Sequence, residues 1–194
     1  MPEHNAGSDT LSPFPWNRNF ETGIEEIDQQ HKVLVDILNR LARHFVSGVA
    51  RVDCEHILDE LLDYAAFHFK SEEAIWHEGL GTGDAVRNHH DSHQLFFAQI
   101  QIFRGSKARE EQVLADIFDY LARWLAFHIL ESDRRMALTV LELKRGSTLA
   151  EARRVVDDQL SGQMSSTVSA LLEKYAAMSA RVARSIREAR RDRP

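Results

Sequence analysis

Over four long stretches of this chain apolar residues recur in steps of three and four, and in each stretch the apolar stripe itself contains a histidine. That pattern demands amphipathic α-helices packed face to face, and no alternating, strand-like segment interrupts it. The stripes are Ile27, His31, Leu34, Leu38, Leu41 and Phe45; Ile57, Leu61, Ala65, His68 and Glu72; Val86, His89, His93, Phe96, Ile100 and Phe103; and Leu114, Ile117, Leu121, Trp124 and His128. The expected helices run from about Asp28 to Val46, Asp53 to His77, Asp84 to Phe103, and from near Ala108 past Leu143. Their connectors, "SGVAR", "EGLGTG" and "RGSKA", are short enough to join antiparallel neighbours. The fold class expected is therefore all-α, an up-and-down four-helix bundle.

The flanks read differently. Residues 1–20, with Pro2, Pro13 and Pro15, form an N-terminal arm whose Phe14 and Trp16 are expected to pack on the bundle of residues 21–146. Residues 147–194 form a C-terminal helical extension. There Met164, Val168, Leu171, Tyr175, Met178 and Val182 alternate steps of four and three, continued weakly by Ser185 and Ala189. Such a seam predicts a coiled coil and a homodimer through residues 160–190; the alternative is a helix packed back on the bundle.

Composition excludes several classes. No run of eighteen apolar residues and no basic-then-apolar leader occurs in the 194 residues, so a cytoplasmic protein with no membrane partner is expected. The single cysteine, Cys54, rules out an internal disulfide and a cysteine-rich metal site. The net charge is −6, although the terminal "RVARSIREARRDRP" is rich in arginine. That tail lacks interleaved aromatics and any DNA-reading motif, so it reads as a solvated face and no nucleic acid partner is expected.

The chemistry lies in the stripes. An unpartnered carboxylate in a core costs several kcal/mol or stays protonated, so Glu72 beside His68 requires something to offset that cost. His56, Glu60 and Asp63 form a polar row beside this stripe and are rivals only in spacing; His90 is turned about 100° from His89, toward the rim. A lone histidine on an apolar face is ordinarily a hydrogen-bonded core residue, but His31, His68, His89, His93 and His128 converge from four helices. Imidazoles and carboxylates without thiolate suit iron, manganese or zinc, and their number exceeds what one tetrahedral ion uses. Two ions are indicated, with Glu72 as one bridge. For a second bridge, periodicity favours Glu131, three residues after His128, over Asp133, which lies about 140° round an ideal helix.

The series "GIEEIDQQHKVL", "HFKSEE", "HHDSH" and "WLAFHILESD" resembles the hemerythrin family, in particular its bacterial members, across about residues 16–140. The resemblance implies that His89, His93 and His128 ligate one non-heme iron, that His31 and His68 ligate the other, and that Glu72 and Asp133 bridge them with an oxo or hydroxo group. It therefore sets Asp133 above Glu131 and requires a locally distorted helix. It further implies O2 as the partner, held as hydroperoxide at the open iron, with Leu34, Phe69, Trp124, Leu125 and Ala126 as candidates to line the pocket. "PFPWNRNFETG", "AFHILESDRRMA" and the helical extension together resemble hemerythrin domains placed ahead of diguanylate cyclase domains. The expected function is an oxygen or redox sensor, either a fragment whose output domain is absent from this chain or a stand-alone protein with a dimerisation helix. An O2 carrier or scavenger and a di-iron oxidase or peroxidase are the alternatives, and no enzyme activity is expected of the chain itself.

Overall fold

A computed structural model of the chain describes residues 14–47 and 51–161, together with isolated positions between 170 and 184. Every regular element among the described residues is helical: α1 (Glu25–Ser47), α2 (Arg51–Leu80), α3 (Asp84–Arg104), α4 (Glu110–Phe127), a π-helical turn (His128–Asp133), α5 (Arg134–Lys144) and α6 (Leu149–Ser161). A single 3-10 turn, Arg18–Phe20, precedes them. The segment α4, the π turn and α5 follow one another without a break and make the fourth rod of the bundle. Successive rods pack on each other, and the fourth closes the ring by contacting α1 and α2. The bundle is the one the apolar periodicity predicts.

Two helix boundaries differ from the sequence expectation, each for a local reason. Helix α1 begins at Glu25 rather than Asp28, because the Asp28 carboxylate reaches back over the preceding chain instead of starting the helix. It accepts from the Thr22 N–H at 2.6 Å, the Thr22 hydroxyl at 2.8 Å and the Gly23 N–H at 3.2 Å. Helix α2 continues through "EGL" to Leu80, since Gly79 sits within the helix where Val140 of α5 packs against it. A Cβ there would stand 2.7 Å from a Val140 methyl, so glycine is what lets the two rods approach. The chain finally turns at Gly81, whose φ of +72° favours glycine.

The apolar core is divided. A large cluster, including Leu34, Leu38, Leu58, Leu61, Phe69, Phe96, Phe118 and Leu121, fills one part of the bundle; Trp76, Met136, Ala137 and Val140 fill another. Glu72 lies between Phe69 and Trp76 on α2, and Asp133 lies between Leu130 and Met136 on the fourth rod, so the buried polar residues occupy the layer between the two cores.

The arm is part of the packed structure. Phe14 is buried against Phe118, and its backbone is gripped at both polar atoms by the Asn39 side chain, which accepts from the Phe14 N–H and donates to its C=O, each at 2.9 Å. Trp16 stacks on Phe20, and the Arg134 guanidinium donates to the Asn19 C=O at 2.6 Å. At the other end α6 folds back on α5 after Gly146 (φ +96°), burying Ala152, Val156 and Leu160 and pairing Arg135 with Asp157. The first part of the extension is thus a helix packed on the bundle. The seam from Met164 to Ala189 lies outside the described residues. No helix among the described residues is long and apolar enough to cross a membrane.

Asn39→Ala removes the side chain that pairs with both Phe14 backbone groups. A loss of about 1–3 kcal/mol is expected, read as a lowered Tm together with faster proteolysis between residues 14 and 24.

Candidate metal centre

Each rod brings at least one imidazole to the layer between the cores: His31 from α1, His68 from α2, His89 and His93 from α3, and His128 from the π turn. Glu72 and Asp133 are fully buried among them. Asp133 Oδ1 lies 2.9 Å from His89 Nε2 and 3.0 Å from His128 Nε2, while its Oδ2 lies 3.1 Å from His31 Nε2. Glu72 Oε2 stands 3.4 Å from His93 Nε2, 3.8 Å from His68 Nε2 and 3.9 Å from His128 Nε2. Two carboxylates are therefore each shared between imidazoles of both groups.

The π turn explains why Asp133 is here and Glu131 is not. In an α-helix a residue five places on faces away, but the wider turn with i→i+5 hydrogen bonding brings it back to the same face. Asp133 has no exposure, whereas Glu131 is only half-buried. The preference for Glu131 drawn from periodicity is corrected by this turn. Similarly, His90 is about half exposed, as its phase predicts, and the row of His56, Glu60 and Asp63 lines an open surface depression with Tyr64 and Phe67.

Many polar atoms in this layer lack a hydrogen-bond partner. Both nitrogens of His31, Nε2 of His68, Nδ1 of His89, both oxygens of Glu72 and Oδ2 of Asp133 are buried and unsatisfied. His31 Nε2 and Asp133 Oδ2 are within 3.1 Å yet without the alignment of a hydrogen bond. Buried polar atoms are rarely left so, because each forfeits its hydration. His93 Nε2 and His128 Nε2 are also only 2.9 Å apart. Two nitrogens bound at ~2.1 Å to one ion and at right angles to each other would be about 3 Å apart, so this spacing fits ligation. Among the described residues two groups have donor atoms close enough to hold a metal ion: Glu72, His89, His93 and His128, and His31, His68, Glu72 and Asp133. Glu72 belongs to both.

The electrostatics are those of a site prepared for cations. Burial, reinforced by His31, lowers the His68 pKa to about 3; burial, reinforced by His89, lowers that of His93 to about 4. His128 is likewise held well below the usual histidine range by burial. These rings are neutral at pH 7, the form that ligates. Burial pushes Glu72 well up, and the Asp133 carboxylate beside it pushes further, while the Trp76 indole opposes the shift. Burial acts to raise Asp133 too, but His128, His31 and His89 outweigh it and hold its carboxyl well below the usual range.

Around this layer sit residues that the helical stripes did not single out. His68 Nδ1 lies 2.9 Å from the Gln30 amide oxygen and His93 Nδ1 lies 2.7 Å from Glu73 Oε1. An acceptor oxygen at Nδ1 fixes the proton there and turns Nε2 inward as a lone pair. Gln30 precedes His31 and Glu73 follows Glu72, so adjacency to a candidate ligand is their only sequence signal. Trp76, fully buried, meets His89 edge-on with ring centres 6.2 Å apart. Phe69 lies flat on His93 at 3.8 Å, and Trp124 stacks on His128 at 4.1 Å. Leu34, Phe69, Trp124 and Leu125 also line a small apolar cavity, with Leu38, Leu61 and Phe96 among its other walls. Ala126 is buried but does not line that cavity.

An all-helical bundle that holds five imidazoles and two carboxylates in its core defines a cation-binding protein of the helical-bundle class. The model of the hemerythrin HHE cation binding domain matches residues 22–140. Bacteriohemerythrin of Pseudomonas aeruginosa is 31% identical over 123 residues, covering 63% of this chain and 78% of that protein. Bacteriohemerythrin of Clostridium acetobutylicum is 31% identical over 131 residues, covering 62% of this chain and 96% of the relative. A hemerythrin-like protein of Naegleria gruberi is 32% identical over 124 residues, or 64% and 91% of the two chains. No solved structure gives a significant match. The chain belongs to the hemerythrin family.

The depressed histidines make the stability of the metal-free protein depend on pH. Between the unfolded value near 6.5 and the folded values of about 3 and 4, the unfolded chain binds protons at His68 and His93 that the folded chain does not. Protonated Glu72 works in the opposite sense with one proton and is outweighed, since His128 acts with the other two histidines. Unfolding free energy of metal-free protein is therefore expected to fall as pH is lowered from 6.5 to 4, measured by urea unfolding at each pH.

Proposed function

We propose that this chain is a non-heme di-iron O2-binding protein that serves as an oxygen or redox sensor. The observation that carries the reading is the pair of overlapping ligand groups that share Glu72, with unsatisfied donors aimed into one buried layer. His89, His93 and His128 would hold one iron, His31 and His68 the other, and Glu72 and Asp133 would serve both. The set suits the ion: neutral imidazoles with carboxylates and no thiolate. When bound, the iron pair would supply reversible O2 binding and electron transfer.

The chain's own residues prepare that chemistry. Three histidines against two make the halves unequal and leave the second half with fewer protein donors. Gln30 and Glu73 hold the protons of His68 and His93 at Nδ1, so that Nε2 is available without a deprotonation step. Phe69 and Trp124, flat against His93 and His128, exclude water from one flank, and the small cavity beside them is lined by apolar side chains alone.

The sensor reading, in preference to a carrier, draws on the fourth rod. Asp133 is the last residue of the π turn, and the chain runs directly from it into α5 and back through α6. A shift at that carboxylate between liganded and unliganded states would be felt first by these two helices and then by the C-terminal segment. Such signalling needs a ligand that binds the two states unequally. We assign residues 21–146 to the sensing bundle and residues 147–194 to the output segment. The single, buried Cys54 accords with a reducing cytoplasmic setting.

Iron analysis coupled to absorption spectra under nitrogen, then air, then nitrogen again tests the reading. Two irons per chain and a reversible O2-dependent band are expected; iron-loaded protein with no O2-dependent band would contradict it.

A further inference from the structure

Behind two of the ligand histidines stand two different acceptors. His93 Nδ1 meets the carboxylate of Glu73 at 2.7 Å, whereas His68 Nδ1 meets the amide oxygen of Gln30 at 2.9 Å. Both acceptors are held in place. The Gln30 amide nitrogen lies 3.4 Å from Glu26 Oε1, which turns its oxygen toward His68. Glu73 Oε1 is also 3.0 Å from His90 Nδ1 on the rim of α3, so one oxygen is clamped between a buried ring and an exposed one. Glu73 belongs to neither of the two groups able to hold a metal ion.

We propose that Glu73 and Gln30 are positioning residues that make the two ion sites unequal: the charged acceptor behind His93 strengthens the site of His89, His93 and His128, and the neutral one leaves the site of His31 and His68 weaker. The inference rests on the two-ion reading above. The physical reason is that a carboxylate forms a charge-assisted hydrogen bond about twice as strong as a neutral one. It thereby draws the Nδ1 proton toward itself and raises the electron density that Nε2 offers a cation. An amide oxygen orients the ring equally well but shifts far less charge. The difference between the sites thus arises from two residues outside the ligand groups, in addition to the unequal number of histidines. His90, turned away from the centre, acts on it through Glu73.

The test is an anaerobic titration of the metal-free full chain with Co2+, following its visible bands. Wild type is expected to take up two equivalents in two resolved steps. In Glu73→Gln, which keeps an acceptor oxygen and removes the charge, the tighter step should weaken by about 10-fold or more. In Gln30→Glu the weaker step should tighten, and the double exchange should narrow the ratio between the two steps. Glu73 is partly exposed, so a merely structural role predicts a lowered Tm of the metal-free variant with the affinity ratio kept. Unchanged stepwise constants in Glu73→Gln, or that structural pattern, would overturn the proposal while leaving the two-ion centre intact. A wild-type chain that takes up no second equivalent would overturn the two-ion reading and the proposal with it.

Discussion

Everything in this fold is arranged around two carboxylates, Glu72 and Asp133, that share one dry layer with five imidazoles. By themselves these groups oppose one another: Glu72 is pushed toward its protonated form and Asp133 is kept ionised by its histidine neighbours. Several of their polar atoms have no hydrogen-bond partner at all. In a low-dielectric core that arrangement is costly unless positive charge enters it. Cations in the layer would satisfy the lone pairs and neutralise both acids at once. The cores on either side, one built on Phe69, Phe96 and Phe118 and the other on Trp76 and Val140, then act as walls that keep the rings and acids from rearranging.

The π turn links this electrostatic demand to the backbone. A regular α-helix through "HILESD" would carry Asp133 away from His128 and put Glu131 in its neighbourhood. Widening the helix by one turn keeps α4 and α5 in a single rod while letting both His128 and Asp133 face inward. The same rod is pinned at its other faces. Arg134 holds the Asn19 carbonyl of the arm, and Arg135 pairs with Asp157 of α6. The two residues that follow Asp133 thus tie the fourth rod to the arm at Asn19 and to α6 at Asp157.

Much of this was legible in the sequence, and the remainder failed for identifiable reasons. The four rods and the inward histidines follow from steps of three and four, since a bundle has one dry face per helix and the stripe marks it. Asp133 does not follow from that period, because the helix departs from it there; a family resemblance places the residue where geometry alone favoured Glu131. Helix α1 starts three residues before the expected Asp28, whose carboxylate turns back onto Thr22 and Gly23. The end of α2 was set short because Gly79 signals a break in sequence but serves a close approach to Val140. Gln30 and Glu73 carry no periodic signal, and only their hydrogen bonds to His68 and His93 separate them from other polar neighbours. Helix α6 precedes the Met164–Ala189 seam, which lies outside the described residues, and Ala152, Val156 and Leu160 are the residues that make its contact with α5 dry.

The most direct measurement is thermal unfolding of the metal-free chain during anaerobic addition of Fe2+, with bound iron counted at each point. If cations are what make the buried acids and imidazoles tolerable, the Tm rises steeply and levels off once two equivalents are bound. Protein that is equally stable with and without ferrous iron, and retains none after desalting, would contradict the account.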